Sequence, residues 1–573
     1  MKYIVKSILV LLALFTVVSC ENDFLDVNEN DPNRPKSAEL GKMLTFSQQM
    51  LGTSMSTGNF ISRDLSAVMH YLVSRETPTY SMGPGNNGIH NSWNYIFIYV
   101  LPNLNDIIKN AEEQDNLIYA GIAKVLKAYV YTILVDLWGD VAYEEAGHMT
   151  ENMAPAVQSG KLIYNEMFNL LDDAIDNIND TNSKNFEKPK LDDIFYGVNN
   201  STPNTAPWVR LANTLKLKML LQTRLVKGDI TDWSTKLSTL ITANNFMKSG
   251  EDFDFWYTGS KSPTEERHPV FVSQYPSGQK TYYISPYFYE VLRGQTYNFP
   301  DNPFSGIVDP RAKHFIIKQA GPNTKATSLF DYRSDDGFIS IFFGTSGGGS
   351  SQDNVMALPG LYPIGGKYDN DAGSPVSNST GNGKAPVRLL SYHNTWFMLA
   401  ELALVGDIAG DARTYLQNGI QASVAHVNTV STKSSGSSAN DISVANRDAL
   451  VNAVLAKYDA AADNEKKLEI IITQKWIANF FAPIEPYADY RRTGYPKLFD
   501  PNQTGGLAYS PIKNKDGEPG VPAPGPEQIS VSNSYKFLKS LYYQANEVSR
   551  NPNITQKDPT TFKVFWDTRT YDF

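Results

Sequence analysis

The helical period of NLIYAGIAKVLKAYVYTILVDLWGD, residues 116–140, is the strongest constraint this chain places on its own fold. Ile118, Ile122, Val125, Tyr129, Ile133 and Leu137 recur three or four apart and line one helix face, and Gly139 follows as a C-cap. KLIYNEMFNLLDDAIDNI repeats the pattern through Ile163, Met167, Leu170, Ala174 and Ile178. TAPWVRLANTLKLKMLLQTRL opens with Thr205 as N-cap and Pro207 in the first turn, where a missing N–H costs little. HNTWFMLAELALVGDIAGDARTYLQNGIQASVAHV reads as two helices joined at Gly406 to Gly410, and EKKLEIIITQKWIANFF as another helix. The expected fold is mainly α: packed helical hairpins with little β. No strict 34-residue repeat shows in the letters.

Between these helices run long stretches rich in Gly, Ser, Asn, Pro and aromatics, at 77–92, 251–310, 320–388 and 500–535. GTSGGGSS and DNDAGSPVSNSTGNG read as too flexible for a core. Loops of this length are commonly functional. The one cysteine among 573 residues, Cys20, leaves no internal disulfide, so the fold must rest on a large apolar core.

Cys20 also ends a distinctive segment. Lys2 and Lys6 precede an apolar run from Ile8 to Val18, broken only by Thr16, and Ser19 and Cys20 close it. That is the order of a secretory signal, too short to span a bilayer. A cysteine at the cleavage point resembles a bacterial lipoprotein signal, which implies residues 1–19 as signal peptide and Cys20 as the lipid attachment point. Anchoring by acyl chains contributes about 0.8 kcal/mol per buried methylene, so two or three chains hold durably. The acidic residues after it, Glu21, Asp23 and Asp26, resemble a surface-export signal and serve equally as a solvated tether. No other apolar stretch reads as a membrane span. Loss of residues 1–19 moves the net charge from −9 to −11, and an acidic chain without basic runs argues against nucleic acid.

Five motifs, in order, resemble those of the SusD/RagB family of nutrient-binding lipoproteins. They are DVNENDPNRP, DLWGDVAYEEA (with Ala142 where the family has Pro), VDPRAKHF, AELALVGDIAGDARTYLQNGIQASV and ITQKWIANFFAPIEPYADYRRTGYP, spread from Asp26 to Pro496. The resemblance implies a single SusD-like domain over 20–573, with residues 20–40 as tether and first segment, on a tetratricopeptide-like scaffold. It also implies an outer-membrane, outward-facing lipoprotein that presents glycan, or in some members peptide, to a SusC-like TonB-dependent transporter without cleaving it.

A catalytic reading has little to stand on. There is no His-Glu-x-x-His, no Cys/His metal set and no phosphate-cradling loop, and the seven histidines are scattered. Glu144–Glu145 and Asp172–Asp173 are adjacent on helices and point apart, unlike the facing carboxylates of a glycosidase. With 60 acids some spatial pair always exists, so a surface glycoside hydrolase stays as the alternative. No cofactor is expected. Tyr368 to Asp371, YDND, has the carboxylate spacing of a calcium loop without its closing Glu, and a solvated turn is the plainer reading.

Sugar recognition needs flat apolar rings with polar neighbours, and aromatics on loops are free to provide them. The loop before WNYIFIYVLPNLNDII nominates Tyr80, His90, Asn91 and Trp93, although Trp93 also reads as the first core-facing residue of that helix. The aromatic-rich stretch from Asp252 to Val291 nominates Trp256, Tyr257, Tyr282 and Tyr283, with Arg267 as a polar contact or an internal salt bridge. Trp138, Trp208, Trp396 and Trp476 read as packing residues, and Arg491 and Arg492 as partners of scaffold carboxylates or carbonyls.

Overall fold

The computed structural model describes residues 39–571 apart from 75–79, 81, 148–151, 277, 279, 297–298, 300, 323, 325–330, 335, 342, 344–353 and 499–535. Cys20, the residue 1–19 signal and the DVNENDPNRP motif lie outside the described residues, as does the stretch 500–535.

The main helices are α1 (Leu40–Ser54), α2 (Ile61–Val68), α3 (Asn87–Asn94), α4 (Leu101–Glu113), α5 (Leu117–Trp138), α6 (Gly160–Asn179) and α7 (Ala206–Gln222). They continue with α8 (Trp233–Ala243), α9 (His393–Leu404), α10 (Ala412–Ser435), α11 (Val444–Asp459), α12 (Asn464–Ala478) and α13 (Ile484–Thr493). Neighbours in sequence pack on each other: α4 on α5, α5 on α6, α6 on α7, α9 on α10, and α11 on α12. This is the mainly α scaffold of packed hairpins that the periodicity predicts, of the tetratricopeptide-like kind that the family resemblance implies. Gly139 closes α5 at φ +81°, and Pro207 sits in the first turn of α7, although Thr205 makes no side-chain cap there.

The long stretches between helices are less irregular than their composition suggests. Four of the short strands within the described residues are β1 (Leu72–Ser74), β2 (Phe253–Trp256), β3 (Tyr282–Ile284) and β4 (Pro386–Leu390). β1 pairs antiparallel with β3, and β2 with β4, so chain segments far apart in sequence are zipped together.

α5 departs from the sequence reading in two ways. It is long and apolar enough to cross a membrane by length and composition, and it is buried on almost every side rather than on one face. A helix hydrophobic all round belongs at the centre of a core. Its polar members are satisfied there: Asp136 accepts from Lys218 Nζ at 2.7 Å and Trp566 Nε1 at 3.1 Å, and from the Tyr164 hydroxyl.

The widely spaced sequence motifs converge on three buried polar contacts. Arg311 grips Asp309 two residues away at 2.6 and 3.0 Å, and reaches Ser423 at 2.8 Å and Gln474 at 3.0 Å. Arg492 holds Glu401 through both carboxylate oxygens, and Asp489 at 3.0 Å. Arg491 donates to the carbonyls of Asp136, Tyr487 and Lys539. One arginine of the pair thus takes carboxylates and the other takes carbonyls. These residues specify how the hairpins dock.

Candidate functional site

β2 is held against α1 by a close approach that only glycine permits. A Cβ on Gly52 would stand 2.1 Å from the Phe255 ring. Alternation along the strand then sends Phe255 and Tyr257 toward α1 and Trp256 the other way. The half-buried Tyr257 stacks edge-on with Phe255 at 5.3 Å and His268 at 5.4 Å, and hydrogen-bonds Ser56. Burial pushes its hydroxyl up to about 12. Trp256 faces α10, where the Lys433 ammonium lies 4.7 Å from its ring.

The turn after α1 carries the rest. Asn86 caps α3 by accepting from Ile89 N at 3.0 Å, so the helix begins before Trp93 rather than at it. Asn91 Nδ2 donates to Asn59 O at 2.7 Å, and Arg63 donates to Asn59 Oδ1 at 2.7 Å. Arg63 also pairs with Asp64 at 3.1 Å and lies 5.4 Å from the Tyr282 ring. α3 runs on into a π-helix, Tyr95–Val100, which buries Ile96 and Val100 and turns Tyr95 and Tyr99 outward. Such widened turns are frequent at functional sites.

The rings of Phe46, Tyr99, Tyr95 and Phe60 form a ladder of edge-on contacts, half-buried at Tyr95 and Phe60. Phe46 meets Tyr99 at 6.2 Å, Tyr99 meets Tyr95 at 5.3 Å, and Tyr95 meets Phe60 at 5.0 Å. Phe46 and Tyr99 are 38% and 39% exposed. At the Phe60 end stand Asn59, Asn91 and Arg63, and Tyr257 lies close enough to Tyr95 for the two phenols to interact. Flat rings ending in amide and guanidinium groups suit the alternating apolar faces and hydroxyls of a pyranose chain.

The nine residues nominated from sequence separate sharply. Tyr80 is fully buried, hydrogen-bonded to His70 at 2.8 Å and packed on Phe343 and Phe537. Trp93 is 3% exposed among Phe97, Trp138 and Tyr543, so the core reading describes it. Tyr282 and Tyr283 are buried too, because pairing of β3 with β1 folds their strand inward. Arg267 is committed to Glu265 by two contacts at 2.6 and 2.7 Å, the internal salt bridge of the two readings. His90 is half-buried between Asn94 at 2.9 Å and Gln544 at 2.6 Å. Asn91 and Tyr257 therefore reach the ladder, His90 sits beside Asn91, and Trp256 faces away. The other members of this cluster, Phe46, Asn59, Phe60, Arg63, Tyr95 and Tyr99, were not nominated from the sequence. The signal for them was Tyr95 and Tyr99 four apart around apolar Ile96 and Val100.

The YDND turn is not simply solvated. Asp371 pairs with Lys313 at 2.5 Å and Lys318 at 2.9 Å, and Asp369 lies 3.8 Å from Lys318. Ammonium groups thus neutralise both carboxylates.

The family model described as starch-binding associating with outer membrane matches residues 32–514. The chain belongs to the SusD-like family. No protein of curated function matches it by sequence. Among solved structures it resembles a chitin-binding protein at 21% identity and TM-score 0.61, covering 93% of this chain and 100% of that one. It also resembles a SusD homolog from Bacteroides fragilis at 18% identity and TM-score 0.58, covering 82% and 90% of the two chains. A SusD/RagB protein from Bacteroides thetaiotaomicron gives 19% and 0.59, covering 93% and 100%. These likenesses establish a shared fold. Membership of the SusD-like family associates the chain with the outer membrane and with nutrient binding.

Proposed function

We propose that this SusD-like protein is a non-catalytic capture protein, lipid-anchored at Cys20 and facing the cell exterior. It binds oligosaccharide on the ladder of Phe46, Tyr99, Tyr95 and Phe60 and hands it to a SusC-like TonB-dependent transporter. The observation that carries this reading is the ladder of rings ending in Asn59, Asn91 and Arg63. Its polar end offers neutral amides and a guanidinium, and the neighbouring carboxylate of Asp64 is buried and paired with Arg63. The family description and the chitin-binding relative support a glycan as ligand.

The test is calorimetry on the chain from residue 21, titrated with starch and chitin fragments and with short peptides. Tyr95→Ala and Tyr99→Ala each remove one stacking platform worth about 1 kcal/mol, a loss of about fivefold in affinity. Trp256→Ala, on the opposite side of β2, leaves this affinity within about twofold. Binding of peptide alone, or equal affinity in the Tyr95 and Tyr99 variants, overturns the proposal. Product release from any fragment restores the hydrolase alternative.

A further inference from the structure

DNDAGSPVSNSTGNG, the stretch whose composition suggests flexibility, instead forms one wall of a groove of about 510 Å³ against the end of α10. That volume lies within the range of small-ligand sites. The floor is interlocked backbone. Asn382 N and Gly383 N both donate to Gly365 O, at 3.1 and 3.0 Å, and Gly366 N donates to Gly360 O at 3.3 Å. A Cβ on Gly381 would stand 2.7 Å from Gly365 O and 2.9 Å from Gly366 Cα, so the two segments touch backbone to backbone there. The α10 wall is fixed as well: Asn382 Nδ2 donates to Ser434 O at 2.6 Å, and the Ser434 hydroxyl to Lys384 O.

The chemistry of this groove differs from that of the two other described cavities. One of those mixes Glu39, Glu187 and Asp192 with three lysines, and the other contains the Lys227–Asp407 ion pair. Here, among the described residues, the lining contains no carboxylate and a single cation, Lys367, among serine, threonine, asparagine and glycine. Tyr368 stands in the wall as the one aromatic ring among the described lining residues, fixed edge-on by the buried His314 at 4.9 Å. Tyr368, Asn440 and Asn370 all line the groove, and the Tyr368 hydroxyl, the Asn440 side-chain amide and the Asn370 Nδ2 make no hydrogen bond within the described protein. A cleft built on interlocked backbone, with hydroxyl and amide groups beside one ring and Lys367 as its one charged side chain among the described residues, matches a polyhydroxylated ligand better than an anion.

We propose that this groove is a second saccharide site, independent of the ring ladder and sharing no residue with it. It takes two or three sugar units, with Tyr368 as stacking platform and Asn440 and Asn370 as hydroxyl partners. Two sites on one chain raise the avidity for long glycans without any new contact. The proposal relies on the capture reading only for the class of ligand.

The test is hydrogen-exchange footprinting of the full chain in a non-sugar detergent, with maltotriose and chitotriose as probes and inorganic phosphate as control. Expected is protection of 365–383 and 434–440 by a trisaccharide and none by phosphate. Tyr368→Ala with Asn440→Ala weakens that protection at least fivefold and leaves the ladder segments 55–63 and 91–99 unchanged, while Tyr368→Phe retains it. Tyr95→Ala acts only on the ladder segments, so failure of either site is read separately. No protection of 365–383 by either trisaccharide, protection by phosphate, or protection that survives the double variant overturns the proposal.

Discussion

Glu401→Gln tests the contact that joins two of the family motifs. The Glu401 carboxylate is fully buried and receives Arg492 through both oxygens, with Arg224 Nε at 2.7 Å. Burial alone would push its carboxyl up, yet the two guanidiniums hold it at about 2, below its ordinary 4.5. Glutamine keeps the shape and removes the charge, leaving the buried Arg492 with Asp489 alone, itself shared with Lys475 at 2.8 Å. Breaking one side of such a buried pair costs about 3–5 kcal/mol. At ~2.1 cal/mol/K per residue over the described residues, unfolding entropy is about 1.0 kcal/mol/K, so Tm falls by about 3–5 °C. Urea unfolding followed by tryptophan fluorescence, with calorimetry for Tm, measures it. Because the folded carboxyl titrates below the unfolded one, its stabilisation is complete above about 4.5 and lost as pH falls toward 2. The gap between wild type and variant therefore closes in acid. A loss under about 1 kcal/mol at neutral pH, or a gap that persists at the lowest pH, refutes the assignment of this pair as a docking contact.

Two further outcomes rest on burial. His70 and His268 are pushed down to about 3 and His314 to about 4 by desolvation, so all three stay neutral in the fold and protonate when unfolded. Their folded values lie below the ordinary 6.5, so stability falls as pH drops below that point; at pH 5 the loss is about 2 kcal/mol per histidine, read by urea titration. His426, held up by Asp252 and Asp254 against burial, opposes them, and stability rising from pH 7 to 5 would contradict this balance. Gly52→Ala forces the Phe255 ring aside and costs about 1–3 kcal/mol by overpacking. It also displaces Tyr257, so calorimetric affinity falls with stability, and Phe255→Leu in the same chain restores much of both.

Much of the scaffold was legible because helical period is a local property. The helices at 117–138 and 160–179 and the hairpin at 393–435 arise from spacing, with glycine closing the first at Gly139 and the last at Gly436. The burial of α5 on all sides was not legible: period reports a preferred face, whereas its neighbours α4, α6 and α7 decide how many faces are covered. The composition of 251–310 and 320–388 likewise hid the β2–β4 pairing, since each strand is four or five residues long and its partner lies more than 100 residues away.

By itself the sequence determined the helical hairpins, the family and the buried role of Arg491 and Arg492, because charge, period and motif order are carried by the letters. Only the tertiary structure decided which aromatics face solvent. Trp93 and Tyr95 are two residues apart with different fates, since Trp138 and Tyr543 arrive from elsewhere in the chain to cover one, while edge-on contacts with Phe60 and Tyr99 leave the other half-exposed. Exposure is a property of what packs against a side chain, and in a fold closed by contacts across 400 residues that information exists only once the chain has come together.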